Sequence, residues 1–176
     1  MFKKIILIAG FIILSFSSFA QETSFGLTAG YLNAMYSKND TNIDDTDTSS
    51  GFYVGALLDI TLNESLSLVP AVQYAHSSEV NLLYVPLMLQ YHIGDSGIYL
   101  QGGPQASVVL QESSRLYNNF GLDLGIGLGY EINDSFFLEA KYFHELTNRH
   151  DEDPFNLYDD LDLGLNSLMI GVGYKF

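Results

Sequence analysis

Histidine, serine and acidic residues are the side chains with which this chain could catalyse a reaction. His76 precedes Ser77 and Ser78, and His144 precedes Glu145. A serine nucleophile activated by histidine and a carboxylate is suited to acyl transfer or lipid hydrolysis. On a β-strand, however, adjacent side chains point to opposite faces, so neighbours in sequence do not form a catalytic pair. We therefore expect no catalytic residue, and a lipid-modifying enzyme is the alternative hypothesis.

The acidic segments are candidates for binding a hard cation. Asp40-x-Asn42-x-Asp44 matches the start of a calcium-binding loop, but Asp45 stands where glycine is required and Gly51 where the bidentate glutamate should be. Segment 147–164 is also acidic. Because such runs are more often solvated loops, we expect neither a metal ion nor another cofactor.

The net charge restricts the classes of partner. The 176-residue chain has 7 Lys and Arg against 21 Asp and Glu, which gives a formal charge of −14. Nucleic acids and acidic substrates need basic patches, so we expect no nucleic-acid partner. The sequence has no cysteine, which excludes a disulfide framework and a thiolate metal site.

The first 20 residues have the pattern of a secretory signal peptide. A short basic start precedes an apolar run over 5–14, and Ser18 and Ala20 occupy the −3 and −1 positions of a cleavage site. The run is shorter than the roughly 20 apolar residues of a membrane-spanning helix. We expect cleavage after Ala20 and one exported domain over 21–176.

The remaining chain alternates between two kinds of side chain. Phe120–Ile132 is the clearest case, because every second residue is apolar and those between are Gly, Asp or Glu. A period of two indicates a β-strand. Seven further segments follow the pattern less cleanly: 24–36, 51–62, 66–76, 80–93, 97–110, 135–146 and 165–176. Most have about 11–14 residues, close to the length of a tilted transmembrane strand with its ends.

Short and long connections alternate between these segments. The short ones, at 63–65, 94–96 and 133–134, consist of turn-forming residues, whereas 37–50 and 147–164 are long and acidic. This asymmetry predicts an all-β fold, an eight-stranded antiparallel up-and-down transmembrane β-barrel with short periplasmic turns and longer extracellular loops.

The composition of the second strand face favours a membrane barrel over a soluble lipocalin-like barrel or sandwich. A water-facing surface is usually rich in Lys, Glu and Thr, whereas this face is mainly Gly, Ala, Ser and Gln, which fit a narrow lumen. Aromatic residues near both strand ends are typical of the two bilayer interfaces. They are Tyr91, Tyr130, Phe136, Tyr174 and Phe176 on the turn side, and Phe52, Tyr74, Tyr84 and Tyr142 on the loop side, although Tyr84 is out of phase with the main apolar face of its strand.

Three prolines limit the strand assignments. Pro70, Pro86 and Pro104 each lack the N–H that a strand ladder needs, and a closed barrel has no edge on which to place them. We expect them at strand ends or bulges.

Six charged residues are predicted to face the lumen: Asp59, Asp123, Glu131, Glu139, Lys141 and Lys175. Buried charges need partners, so each lysine should bridge neighbouring carboxylates. Because an eight-stranded barrel is just wide enough for side chains, we expect a structural plug rather than an ion path.

Several stretches resemble the PorT-like outer-membrane β-barrel family common in Bacteroidota, a small barrel of the OmpA and OmpX kind. They are Leu66–Ile93, Tyr99–Pro104 (YLQGGP) and LEAKY at Leu138–Tyr142. The chain has Ala71 where the family often has an acidic residue, and Lys141 where it often has arginine. The resemblance implies a barrel type and a location in the cell outer membrane rather than a chemistry.

The terminal GVGYKF, Gly171–Phe176, is similar to the signal by which the barrel-assembly machinery recognises its clients, with Tyr174 and Phe176 as its aromatic residues. Expected partners are therefore that machinery, outer-membrane lipid and an envelope protein bound through the extracellular loops. The expected function is non-enzymatic: adhesion, complex formation or envelope integrity through acidic surface loops. A lipid-modifying enzyme and a narrow channel are the alternatives.

Overall fold

The computed structural model describes residues 23–40, 43–78, 80–110, 119–147 and 162–176. The predicted signal peptide over 1–20 and most of segment 147–164 lie outside the described residues. So do Asn42 and the side chains of Asp40 and Asp44, on which the calcium-loop hypothesis depends.

Eight antiparallel strands form a closed barrel in chain order, which confirms the predicted fold. The strands are β1 Thr23–Asp40, β2 Ile43–Asn63, β3 Leu66–Ser77, β4 Asn81–His92, β5 Ile98–Val109, β6 Phe120–Glu131, β7 Phe136–Glu145 and β8 Asp162–Lys175. Closure is made by β1 and β8, which pair from Gly26 opposite Lys175 to Asn39 opposite Asp162. Within the described residues, no helix is long and apolar enough to cross a membrane.

The first hairpin differs most from its prediction. The apolar alternation of β1 and β2 predicts strands over 24–36 and 51–62, with 37–50 as a loop. The two strands instead remain paired as far as Asp40 opposite Ile43. The residues of this region are mostly polar and do not alternate with apolar ones. Backbone pairing continues without that pattern, so most of the expected loop is strand.

The short turns are stabilised by the local hydrogen bonds that their residue types predict. Asn63 Oδ1 accepts the Ser65 N–H at 3.0 Å, and Asn133 Oδ1 accepts the N–H groups of Ser135 and Phe136 at 3.0 and 2.8 Å. The third turn is a 3₁₀ turn over Gly94–Ser96, with Gly94 and Gly97 at positive φ. These turns set the tight periplasmic end of the barrel.

The apolar face of each strand points outward, which excludes the soluble alternative. Ile126, in the middle of β6, is 67% exposed, whereas Tyr53 on the inner face of β2 is 0% exposed. A soluble barrel would bury the first and expose the second. The outward residues therefore form an aliphatic band suited to hydrocarbon.

Aromatic residues flank this band at both ends, with one correction. At the turn end the rings of Phe25 and Phe176 stack at 5.7 Å, and Tyr174 lies 4.9 Å from Phe176 and from Phe136. Tyr84 does not belong to the outer belt, because its strand parity directs it into the lumen, where it is 1% exposed.

The expectation that the prolines lie at strand ends or bulges was wrong. Pro70, Pro86 and Pro104 lie inside β3, β4 and β5. Beside each proline, two consecutive pairs are missing from one ladder: β2–β3 at Pro70, β3–β4 at Pro86 and β4–β5 at Pro104. The register is unchanged across each gap, so the ladder loses pairs at the missing N–H without inserting a residue.

The three gaps adjoin one another. By register, the residue after Pro70 stands opposite Pro86, and the residue after Pro86 stands opposite Pro104. The gaps thus form one oblique line across the wall from β2 to β5, which we call the proline diagonal.

Glycines on the inner face make room for aromatic rings from neighbouring strands. A Cβ at Gly125 would overlap the ring of Phe143, and a Cβ at Gly129 would overlap the ring of Tyr99. Gly171 and Gly173 of β8 stand in the same way against Tyr53 and Phe137. The glycine alternation of β6 therefore has a packing reason, since large rings fill a narrow lumen only beside positions without a side chain.

We predict that Gly125→Ala lowers the free energy of unfolding by about 1–3 kcal/mol, the usual effect of overpacking. Gly102→Ala is the matched control, because its nearest atom beyond the adjacent residues, the Gly125 carbonyl oxygen, would lie 3.5 Å from the new Cβ. Denaturant titration of the folded barrel, followed by circular dichroism, measures both. Equal losses in the two variants would contradict the ring-packing account, whereas partial recovery in Gly125→Ala/Phe143→Leu would support it.

Candidate functional site in the barrel lumen

Strand parity places all six predicted charged residues on the inner face. Asp59, Asp123, Glu139 and Lys141 are buried, while Glu131 and Lys175 are half-buried near the turn end. They come from β2, β6, β7 and β8. Charged side chains from four of the eight strands therefore point into the lumen.

A three-membered cluster lies at the turn end of the lumen. Lys175 Nζ donates to Asp59 Oδ2 at 2.6 Å and to Glu131 Oε1 at 2.8 Å. His92 Nδ1 lies 3.7 Å from the other oxygen of Glu131. The lysine joins β8 to β2 and β6 at this end.

A second ion pair lies deeper. Lys141 Nζ donates to Glu139 Oε1 at 2.6 Å, and both side chains are 4% exposed. The two residues are adjacent on one face of β7, because they are two positions apart. Glu139 also accepts hydrogen bonds from Tyr53 Oη at 3.2 Å, Thr28 Oγ1 at 3.3 Å and Gln101 Nε2 at 3.4 Å.

These additional bonds matter because burying a charge is expensive. The attraction within a buried pair offsets desolvation only when the remaining polar atoms also find partners. Glu139 meets that condition with donors from β1, β2 and β5 in addition to its own strand. Lys141 further lies 5.6 Å from the centre of the Tyr53 ring, a favourable position for a cation.

Asp123 lies nearer the loop end, opposite Glu145 in the register of β6 and β7. Asp123 accepts Gln105 Nε2 at 2.8 Å and Ser107 Oγ at 3.3 Å. Glu145 accepts the Leu165 N–H at 2.6 Å. Glu145 is 7% exposed and was missing from the predicted lumen set, although it shares its parity with Glu139 and Lys141.

Large uncharged side chains in the lumen were also missed. Two groups of buried apolar residues pack above and below the Lys141–Glu139 pair. The loop-side group includes Leu32, Tyr53, Tyr84, Met88, Phe143 and Met169, and the turn-side group consists of Leu57, Val69, Ala71, Tyr99 and Phe137. Strand parity would have found them, because each lies on the face that carries the predicted charges.

The sequence-adjacent histidine pairs are separated by the strand pleat. His76 points outward and shares a hydrogen bond of 2.7 Å with Asn81 Oδ1, whereas Ser77 is fully buried in the lumen. His144 likewise faces outward, 2.9 Å from Asn166 Oδ1, while Glu145 faces inward. Among the described residues, no group of three or more His, Asp or Glu side chains is placed to hold a metal ion.

A cavity of about 720 Å³ occupies the turn end of the barrel. We call it the vestibule. Its wall includes the Lys175 cluster and residues of all three short turns: Ser24, Asp59, Thr61, Asn63, Glu64, Ser67, His92, Gly94, Asp95, Gly97, Ile98, Glu131, Asn133, Asp134 and Lys175. The vestibule is thus the periplasmic mouth of the lumen.

Almost the whole chain matches one protein family. A family model described as outer membrane protein beta-barrel domain matches residues 6–176. This chain belongs to that family. As an outer-membrane β-barrel protein, it is located in the outer membrane, with its aliphatic band in the hydrocarbon.

Solved structures of similar fold include those of two bacterial proteins. The crystal structure of Ail, the attachment invasion locus protein of Yersinia pestis, is 17% identical, has a TM-score of 0.53, and the match covers 88% of this chain and 99% of Ail. Neisserial surface protein A is 16% identical, with a TM-score of 0.54 and coverage of 88% and 99%. At these identities the likeness concerns the fold. A comparison with curated proteins found no match.

Tyr174 and Phe176 lie on the outward face at the periplasmic rim, and Phe176 N donates to the Phe25 carbonyl at 2.8 Å. Both residues belong to the aromatic contact between β8 and β1. Their use as a signal for the barrel-assembly machinery stays a prediction.

We predict that Lys141→Met lowers the free energy of unfolding by about 3–5 kcal/mol, because Glu139 is left charged and buried without its cation. Glu139→Gln/Lys141→Met should lose less than Lys141→Met alone. Lys175→Met is the comparison variant, and its loss should be smaller because water reaches the 14%-exposed Lys175. Denaturant titration measures all three. A double variant less stable than Lys141→Met would contradict the pairing account.

Proposed function

We propose that this protein is a non-enzymatic outer-membrane barrel that binds a protein partner at the cell surface, with its lumen plugged by its own side chains. We further propose that it is of the PorT-like type and is exported by a signal peptide cleaved after Ala20. The observation that carries the binding function is the extension of the first hairpin beyond the outer aromatic belt.

The extension is formed by β1, β2 and β8. Tyr31 lies opposite Phe52 in the outer belt, and the hairpin continues to Asp40 opposite Ile43. At about 3.4 Å per residue, this is roughly 30 Å of strand beyond the belt. Since β8 pairs with β1 as far as Asn39, the extension is a three-stranded sheet rather than a loose loop.

One edge of this sheet has no neighbouring strand among the described residues, and we call it the open edge. The pairing of β2 with β3 reaches only Gly51 opposite Ser77. Among the described strands, none pairs with 43–50 on that side. An open strand edge is a template onto which a partner can add a strand. Such binding uses backbone hydrogen bonds and needs no catalytic group.

The charge of the extension specifies the kind of partner. Asp44, Asp45 and Asp47 lie on β2 within the open edge. The acidic composition of this segment favours a basic partner segment over a polyanion. Ail has been crystallised with the heparin analogue sucrose octasulfate, which is an anion. The acidic segment of this chain favours a positively charged ligand instead. The names of Ail and of Neisserial surface protein A accord with a role at the surface.

The filling of the lumen supports a plugged barrel over a narrow channel. Tyr53, Tyr84, Tyr99 and Phe143 are each 0–1% exposed. Together with the Lys141–Glu139 pair, they occupy the middle of the lumen at three levels. His76 points outward and Ser77 points inward, so the two side chains cannot act together as base and nucleophile. This separation disfavours the lipid-modifying alternative.

We predict that replacing 38–45 by Asn-Gly, which joins Ser37 to Thr46 through a two-residue hairpin turn, abolishes partner binding while leaving the barrel intact. Ser37 and Thr46 are register partners, so the shortened hairpin keeps its pairing. Cross-linking on intact cells, followed by purification of the barrel, measures which protein is recovered.

Asp44→Asn/Asp45→Asn/Asp47→Asn is the matched control, since it removes charge and keeps the edge. It should weaken recovery of the partner without abolishing it. Recovery of the same partner in equal amount with the shortened hairpin would contradict the proposal.

We also predict that the wild-type protein gives no discrete conductance steps in a planar lipid bilayer, because side chains fill the lumen. A larger outer-membrane porin inserted under the same conditions provides the positive control. Reproducible single-channel steps from this protein would contradict the plugged-barrel hypothesis and support the narrow channel.

A further inference from the structure

Three polar side chains interrupt the apolar outer face of the barrel on adjacent strands. Asn33 of β1, His144 of β7 and Asn166 of β8 have the outward parity of their strands, and each is exposed or half-buried. His144 Nδ1 lies 2.9 Å from Asn166 Oδ1. Asn33 is a diagonal neighbour of Asn166, which pairs with Met35 across the seam between β1 and β8. We call Asn33, His144 and Asn166 the polar patch.

The polar patch lies below the outer limit of the apolar surface. Leu146, the next outward residue of β7 after His144, is 64% exposed. Leu124 of β6 stands opposite His144, and the apolar face of β6 continues outward beyond it through Leu122 to Phe120. Hydrocarbon that covers those residues also reaches the patch. Polar groups that face lipid are costly unless a ligand or a neighbouring protein pairs with them, and they therefore indicate a functional site.

The hydrogen bonds within the polar patch determine which atoms are left for a ligand. The backbone N–H of Glu145 donates to Asn166 Oδ1 at 3.3 Å, and because an N–H only donates, this contact fixes the orientation of the amide. His144 Nδ1 must donate to the same oxygen, so Nε2 of the neutral ring is an acceptor. Asn166 Nδ2 is left as a donor. Asn33 Nδ2 donates to Tyr31 Oη at 3.4 Å, which leaves Asn33 Oδ1 as a second acceptor.

An apolar groove lies on the same seam, on the periplasmic side of the polar patch. Its volume is about 350 Å³. We call it the seam groove, and it is lined by Leu27, Thr28, Ala29, Val54, Gly55, Phe136, Val172, Gly173 and Tyr174. Val172, at its outer end, follows Asn166 on β8 by six residues, which is about 20 Å of strand. At the usual tilt of barrel strands this is a depth of roughly 15 Å, half of the hydrocarbon core and therefore one leaflet.

The chemistry of this face favours a neutral amide over a phosphate. The two lysines with described side chains on β7 and β8, Lys141 and Lys175, point into the lumen. Segment 37–50, which extends beyond the patch, is acidic in composition. A phosphate presents acceptor oxygens, which the acceptors His144 Nε2 and Asn33 Oδ1 cannot bond. A secondary amide presents an N–H and a C=O side by side, which matches an acceptor beside a donor.

We propose that the polar patch and the seam groove bind one lipid of the outer leaflet whose acyl chain is attached through an amide, a neutral ceramide-like lipid. Its amide N–H donates to His144 Nε2, its carbonyl accepts from Asn166 Nδ2, and a headgroup hydroxyl donates to Asn33 Oδ1. The acyl chain passes the outward side chain of Ile170 and ends in the seam groove. An ester-linked chain has no N–H, so it leaves the His144 acceptor unpaired.

A single introduced tryptophan reports on the lipid at a chosen position, because the sequence has no tryptophan. Tyr142→Trp places the reporter two residues from His144 on the same face of β7. Tyr74→Trp is the matched control. It lies beside His76 and Asn81, an outward His–Asn pair at the ends of β3 and β4 and away from the seam groove. Each variant is reconstituted in phosphatidylcholine vesicles that contain a small fraction of ceramide brominated on its acyl chain, and bromine that contacts the reporter quenches its fluorescence.

Brominated ceramide should be preferred over phosphatidylcholine with the same brominated chain by about tenfold at the Tyr142→Trp reporter, the combined effect of two neutral hydrogen bonds. The Tyr74→Trp reporter should show no such preference. Adding His144→Leu/Asn166→Leu to Tyr142→Trp should abolish the preference, whereas adding His76→Leu should leave it unchanged. Asn33→Leu, which removes no acceptor of a backbone N–H, should weaken the preference in a barrel of unchanged fold.

Several results would overturn the proposal. These are equal preference at the two reporters, absence of preference at both, and full preference in the His144→Leu/Asn166→Leu variant. Stronger quenching by a brominated, phosphorylated glycolipid than by ceramide would contradict the neutral headgroup. A Tyr142→Trp reporter that no brominated lipid quenches would indicate that a protein covers this face instead. The surface-binding proposal does not affect these outcomes, because its strand edge lies outside the membrane.

Discussion

Closure of the barrel by β1 and β8 is the constraint on which the rest of the structure depends. Hydrocarbon offers no hydrogen-bonding partner, so a strand that crosses it must pair on both sides. Eight strands achieve this with the smallest circumference of the common membrane barrels, and the resulting lumen has room for side chains alone. The inner face must therefore combine glycines, rings and paired charges, while the outer face is left to apolar residues.

This division of the lumen separates the charged groups at the two ends of the molecule. In the described residues, both lysines of the inner face are held by carboxylates, Lys141 in the middle and Lys175 at the periplasmic mouth. Apolar layers on either side of Lys141 separate the mouth from the loop end. Charge at one end consequently has little influence on the electrostatic potential at the other.

The sequence predicts those parts of the structure that depend on a period of two. This period predicts the presence of the strands, the outward direction of the apolar face and the lumen position of Asp59 and Glu139, because the pleat directs alternate side chains to opposite faces. The short turns follow instead from their residue types. The period does not predict the bounds of β1 and β2, since the hairpin leaves the membrane and backbone pairing continues without an apolar pattern. Tyr84 was misplaced because ring type was given more weight than parity.

Other features depend on contacts between strands, which a single sequence does not contain. The fit of Phe143 beside Gly125 needs the register of β6 against β7. The four donors around Glu139 come from four different strands, so their convergence appears only after closure. The vestibule likewise forms only where the three short turns lie together at the periplasmic end of the closed barrel, and no single turn predicts it.

The proline diagonal gives the wall a mechanical asymmetry. Elsewhere in the described barrel, consecutive pairs join neighbouring strands with few interruptions, whereas along this line three adjacent ladders each lack two pairs. Resistance of a sheet to bending across its strands comes largely from those hydrogen bonds, so the line is a crease of low stiffness. When the surrounding bilayer changes thickness or lateral pressure, the cross-section of the barrel should flatten by folding at β3 and β4, while the seam between β1 and β8 keeps its shape.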